Sequence, residues 1–191
     1  MTPLVIVCGP PASGKSTLAA AIGRQLRLPV ISKDLIKERL MDDIGRDPNL
    51  GAAAFAVQFS MARELLKSGA GLVLEGAFFR DQREIAEVAG SGDTVVISVE
   101  TRLDVLERRY VERHEERHPA HRGPEAIPDL REDVQEGEYG VPELGRPTLR
   151  VDSTDGLSPS EAEILDWIRN QLEGGWDGED QPGPNGATHR A

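Results

Sequence analysis

The segment Gly9-Pro10-Pro11-Ala12-Ser13-Gly14-Lys15-Ser16, followed by Thr17, carries the most definite chemistry in the chain. Its glycines let the backbone curl so that several N–H groups point inward, making an anion-binding nest at a helix N-terminus. Lys15 has the reach to meet β- and γ-phosphates, and the Ser16 hydroxyl is a hard oxygen ligand suited to magnesium. The spacing G-x-x-x-x-G-K-S implies that Gly9 to Thr17 hold a nucleoside triphosphate, with ATP and Mg2+ as the expected pair. That reading requires a strand before the loop and a helix after it. Leu4 to Cys8 is a continuous apolar run, as expected of a strand buried on both faces. Ser16 to Leu28 reads as a helix, with Leu18, Ile22 and Leu26 at successive i+4 spacings.

The remaining elements must place other groups around that loop. Pro29 to Ile31 reads as a second strand and Asp34 to Met41 as a helix. A longer helix is expected from about Ala52 to Lys67, its inner face carrying Phe55, Phe59, Ala62 and Leu66, with Gly69 as its stop. Gly71 to Glu75 is a third strand, Asp81 to Ala89 a helix, and the β-branched run Thr94 to Val99 a fourth strand. Leu103, Leu106 and Tyr110 mark the inner face of a further helix. His114 to Gly123 is nearly devoid of apolar residues and reads as an exposed loop or mobile lid. Ile127 to Glu138 is expected to hold a short helix and Thr148 to Val151 a fifth strand. Ser158-Pro159-Ser160-Glu161 then starts a last helix, with Ser158 as cap and Pro159 at the first position. Strands alternating with helices predict a parallel sheet with helices on both faces. One folded domain over residues 1–173 is expected, with a lid at about 113–126 and a disordered Gly/Pro/polar tail over 174–191.

A net charge of −11 and a pI near 4.9 argue against a general nucleic-acid binder, although a local basic cleft can sit on an acidic body. Cys8 is the single cysteine, so no internal disulfide can form, and a reducing, cytoplasmic setting follows. It reads as a small core residue. No apolar run is long enough for a membrane span, and the N-terminus lacks the pattern of a signal peptide. His114, His118 and His121 lack the spacing of a metal site. Asp42-Asp43-Ile44-Gly45 spells D-x-x-G, but Gly45 is more simply a helix C-cap.

The order of Gly9–Thr17, Ser32-Lys33-Asp34, and Leu72 to Phe78 with Arg80 and Arg83 close behind resembles the small AAA-type P-loop kinases. That group includes polynucleotide kinase, zeta-toxin, chloramphenicol phosphotransferase and gluconate-kinase relatives. The resemblance covers about residues 3–172. It implies a three-layer fold with a five-stranded parallel sheet and an Arg-rich lid, ATP–Mg2+ as donor, and a hydroxyl-bearing small molecule as acceptor. It further implies that Asp34 accepts the acceptor's proton, and that Glu75 serves magnesium or the acceptor. Arg83 would lie near the acceptor, and Arg113 would be the lid arginine. By position alone Asp34 also suits a helix N-cap, Glu75 a charged strand end, and Arg80 the surface.

Arg108, Arg109, Arg113, Arg117 and Arg122 are interleaved with glutamates, which is also the pattern of a solvated helix. Transfer of a phosphoryl group depends on charge neutralisation, and a lid arginine provides it while excluding water. Arg109 and Arg113, one turn apart, are the expected phosphate contacts. The resemblance implies that Arg150 to Thr154 form the loop on the adenine side. Competing readings are a kinase of polynucleotide 5′-hydroxyls, a non-catalytic nucleotide-binding regulator or simple NTPase, and a toxin acting on a nucleotide sugar. Few aromatic residues (4%) leave few platforms for stacking bases, which disfavours the first.

Overall fold

In a computed structural model, which describes residues 2–78 and 82–172, the chain forms five parallel strands in the order β2-β3-β1-β4-β5. β1 (Pro3–Cys8) is central and pairs with β3 (Leu72–Glu75) on one side and β4 (Asp93–Glu100) on the other. β2 (Val30–Ser32) and β5 (Thr148–Asp152) form the two edges. Every residue of β1 is buried, which explains why its sequence is apolar without alternation.

One face of the sheet turns Val5, Val7, Val73, Val95, Ile97 and Val99 against α1 (Lys15–Leu26) and α7 (Glu161–Gln171). The other face turns Leu4, Ile6, Leu72, Leu74 and Val96 against α3 (Leu50–Lys67) and α4 (Gln82–Ala89). The expected three-layer arrangement is therefore present. α2 (Lys33–Ile44) packs on α3. Tyr110 of α5 (Leu103–Glu112), Ala126 of the 3-10 turn Pro124–Ala126 and Leu130 of α6 (Ile127–Gln135) make a separate small core, against which Ala12 also packs.

The last helix departs from expectation. Ser160 rather than Ser158 is its cap: the Ser160 hydroxyl accepts from the Glu163 N–H, and the Glu163 carboxylate accepts from the Ser160 N–H. Ser158 instead bonds back to Asp152 in both directions, closing the loop after β5. Both serines fit a capping pattern locally, and the pairing of Ser158 with a strand end decides between them. Gly45 does cap α2, with φ 82°. The 174–191 tail and Arg80 lie outside the described residues. Among the described residues no helix is long and apolar enough to cross a membrane.

Gln58 fixes the spacing of the carboxyl ends of β2 and β3. Fully buried on α3, its amide donates to the Ile31 carbonyl (2.8 Å) and the Glu75 carbonyl (2.7 Å). Gln58→Leu conserves bulk but leaves both carbonyls without that donor. It should cost about 2–4 kcal/mol, read as a lower urea midpoint with unchanged slope.

Candidate active site

The phosphate loop begins where β1 ends. Gly9 has φ 145°, and a Cβ there would lie 2.4 Å from the Val99 carbonyl oxygen, so no other residue fits. Ala12 (φ 65°) and Gly14 (φ 85°) both adopt left-handed backbone, the alternation that turns successive N–H groups toward one centre. Lys15 is 6% exposed, and its ammonium donates to the Pro10 carbonyl across the loop (3.3 Å). Among the described residues nothing pairs with the buried Ser13 hydroxyl. A cradle of this shape, with an orphaned donor, fits an anion.

Glu75 lies under the cradle at the end of β3, 1% exposed. Its carboxylate accepts from Ser16 Oγ (3.1 Å) and Ser32 Oγ (2.5 Å) and stands 3.9 Å from Lys15 Nζ. The reading of Glu75 as a solvent-facing strand end is therefore corrected: parallel pairing of Ser32 with Glu75 and of Val7 with Glu75 carries it inside. Ser32 entered the sequence reading only as part of Ser32-Lys33-Asp34 and Gln58 not at all, because a serine after a strand and a glutamine in a helix are common everywhere.

Asp34 sits in the first turn of α2, whose N-cap position is Ser32, so Asp34 is not the cap. Its carboxylate accepts from Lys33 Nζ at 3.2 Å. Burial pushes the Asp34 carboxyl up, but Lys33, Lys15 and His121 outweigh it and hold it below its ordinary value. It is therefore ionised throughout the neutral range.

Two cavities meet here. The first, about 630 Å3, is lined by Gly14, Lys15, Ser16, Thr17, Glu75 and Arg113 among others, and also by Asp34 and Arg109. The second, about 480 Å3, is lined by Pro11, Lys33, Lys37, Phe55, Gly76 and Tyr139 among others. Lys15, Asp34, Tyr110, Arg117 and His121 line both. Asp34 thus stands at the junction of a space bordered by the phosphate loop and a second space of small-molecule size.

The two predicted arginine contacts differ. Arg113, exposed, follows the end of α5 and faces the first cavity, and no carboxylate among the described residues pairs with it. Arg109 is committed to the loop after β5: it donates to the Ser153 carbonyl (2.7 Å), the Thr154 carbonyl (3.2 Å) and Ser153 Oγ (3.3 Å). Ser153 Oγ in turn donates to the Ser13 carbonyl at 2.6 Å, so α5, the β5 loop and the phosphate loop form one hydrogen-bonded unit. Arg83 is not brought to the site; its side chain is 90% exposed on α4 and pairs with Glu87.

The segment 114–123 is folded back against α2. His118 Nε2 lies 2.9 Å from Asp42, His121 Nε2 lies 2.6 Å from Glu38, and Arg46 donates to the Pro119 carbonyl (3.3 Å). No cluster of His, Cys, Asp or Glu among the described residues has the geometry of a metal site. Cys8 is buried beneath the loop, and burial pushes its thiol up to about 11, so it stays protonated and inert.

Residues 4–136 match the AAA domain family, a span that covers the phosphate loop, Asp34, Glu75 and the segment 114–123. The chain belongs to the AAA domain family. This AAA domain is 31% identical to a presumed kinase from Chloroflexus aurantiacus J-10-fl, over 90% of this chain and 99% of that one, with a TM-score of 0.80. A gluconokinase from Sinorhizobium meliloti 1021 shares the fold at 20% identity, over 90% of this chain and 91% of that one, with a TM-score of 0.55. A tRNA dimethylallyltransferase of Acaryochloris marina (strain MBIC 11017) is 54% identical over 35 residues, which are 18% of this chain and 12% of that protein. The AAA domain therefore spans only a small part of that relative. Its own architecture is that of the P-loop kinases.

The depressed Asp34 value makes a testable demand on stability. Because the folded value lies below the ordinary 3.8, the contribution is present above that pH and lost as pH falls through the folded value. The stability gap between wild type and Asp34→Asn, from urea unfolding, should be flat from about pH 7 to about pH 5. It should narrow only at more acidic pH.

Proposed function

We propose that this AAA domain is an ATP- and magnesium-dependent kinase that transfers the γ-phosphoryl group to a hydroxyl of a small molecule. The observation that carries the proposal is the position of Asp34. Its ionised carboxylate stands where a cavity lined by the phosphate loop meets a second cavity of small-molecule size. A simple NTPase or nucleotide-binding regulator has no need of that second space.

In this reading the acceptor oxygen attacks the γ-phosphorus, the bond from that phosphorus to the leaving ADP oxygen breaks, and the hydroxyl proton passes to Asp34. A weakly basic carboxylate suffices, because bond-making to the nucleophile lags bond-breaking in such transfers. Lys15 and Arg113 neutralise the charge spread over the moving phosphoryl group. Ser16 and Glu75 supply the hard oxygens that would hold magnesium, which when bound would offset charge on the phosphate oxygens. The backbone from Gly9 to Thr17 cradles the phosphates. Arg109 acts as a positioning residue, since its donors hold the 153–154 loop on the adenine side. Arg83, facing solvent on α4, has no role in this reading.

The test is acceptor-stimulated ADP release, screened over sugars, sugar acids, nucleosides, aminoglycosides and amphenicols. An oligonucleotide with a free 5′-hydroxyl belongs in the screen, since a kinase of polynucleotide 5′-hydroxyls is a competing reading. With the acceptor so found, Asp34→Asn should leave ATP affinity near wild type and lower kcat by about 10²–10⁴-fold. Transfer that persists in Asp34→Asn removes Asp34 as base. ATP turnover indifferent to every acceptor removes the kinase reading.

A further inference from the structure

The charges around the second cavity are unevenly satisfied. Its carboxylates on the α6 side have partners: Asp129 accepts from Arg122 at 2.7 Å and Asp133 from the Tyr139 hydroxyl at 3.1 Å. On the α2 side Lys33 is engaged with Asp34 and lies over the Phe55 ring, 5.4 Å from its centroid. Glu38 is engaged with His121. Lys37 and Arg117 remain. Both are half-buried, both line the cavity, and among the described residues no carboxylate comes within ion-pair distance of either. The Arg117 guanidinium lies over the face of Tyr110, 5.1 Å from the ring centroid.

Lys37 separates the acceptor side from the nucleotide side. It lines the second cavity and not the first, whereas Arg117 lines both. Its surroundings are cationic. Burial, and then the charges of Lys33, Arg117 and Arg46, push the Lys37 ammonium below its ordinary value, against the opposing pull of Asp34. Holding a partly desolvated cation among other cations is unfavourable in the empty site and is relieved by an anion. A solvated surface lysine would not face a cavity in this way.

We propose that the phosphate acceptor is a small hydroxylated anion whose carboxylate or phosphate seats against Lys37 while its reacting hydroxyl lies at Asp34. This rests on the kinase reading above for the hydroxyl, and on the Lys37 environment for the anion. Positions 34 and 37 are neighbours on one helix face, with Cβ atoms about 5–6 Å apart. The hydroxyl and the anionic group are therefore only a few bonds apart in the acceptor. Arg117, reaching both cavities, bridges the anion and the transferring phosphoryl group. Phe55, Leu130 and Ala126 face the carbon skeleton. A neutral acceptor of the same shape would leave Lys37 unrelieved, and this gives the site its discrimination.

The experiment uses the full chain with matched pairs of probes: glycerate and glycerol, gluconate and glucitol, glucose 6-phosphate and glucose. Binding is followed through the NMR signals of isotope-labelled lysine side chains, and transfer through ADP release. At least one anionic probe should shift the Lys37 signal saturably at millimolar concentration, and its neutral partner should not. Lys37→Gln should weaken that binding at least about tenfold, the scale of a lost charge-assisted hydrogen bond, and Lys37→Arg should restore most of it. Lys67→Gln, an exposed change on α3, should alter nothing. In transfer assays the Lys37→Gln effect should fall on KM with kcat nearly unchanged. Anions that bind at Lys37 without being phosphorylated support the anion site and count against the kinase reading. Neutral probes phosphorylated as well as anionic ones overturn the anion proposal and leave the kinase reading standing. No saturable shift of Lys37 with any anionic probe also overturns it, as does phosphorylation of a 5′-hydroxyl oligonucleotide alone.

Discussion

A buried carboxylate holds this structure together at the point where chemistry would occur. Glu75 is almost wholly removed from solvent, and an ionised group there is costly unless its lone pairs are engaged. Lys15 and Ser16 meet that demand from the start of α1, where the phosphate loop ends, and Ser32 meets it from the end of β2. Gln58 adds a second tie from behind, through the Glu75 backbone carbonyl. The carboxyl edges of β1, β2 and β3 are thereby drawn to a common point. The groups that must face a phosphate and the helix that carries Asp34 cannot move independently of one another.

From that point the site divides into two halves with different physics. The nucleotide half is mostly backbone: left-handed turns at Ala12 and Gly14, a Ser13 hydroxyl with no partner among the described residues, and a loop after β5 held by Arg109 and Ser153. The half lined by the second cavity is mostly side chains, with cations from α2 and the 114–123 segment facing aromatic and aliphatic groups from α3 and α6. The segment 114–123 joins the halves through Arg117 and rests on α2 through two histidine–carboxylate contacts. Such sites occur at the carboxyl edge of parallel sheets, where helix N-termini and loops converge.

Much of this was legible in the sequence, for identifiable reasons. The phosphate loop has a fixed spacing because its backbone geometry permits little else, as the contact between a Gly9 Cβ and Val99 illustrates. β1 was readable because a strand buried on both faces is apolar, and β4 because its run is strongly β-branched. Tertiary pairings were less visible. Ser32 and Gln58 gain meaning only once β2 and β3 are aligned. The helix cap fell to Ser160 because Ser158 is used by Asp152, a contact no local pattern reveals. The segment 114–123 has the composition of a free loop, yet its histidines find acids some eighty residues back along the chain. Arg109 and Arg113, equivalent in sequence, part company because only Arg109 reaches the β5 loop.

The most direct test of the Glu75 junction is the gain in ATP affinity that magnesium confers, measured by calorimetry with and without the metal in wild type and Glu75→Gln. The Ser16–Glu75 pair should make wild type bind ATP more tightly with magnesium than without. Glu75→Gln should keep metal-free ATP binding while losing most of the gain. A gain in Glu75→Gln equal to that of wild type would contradict the account.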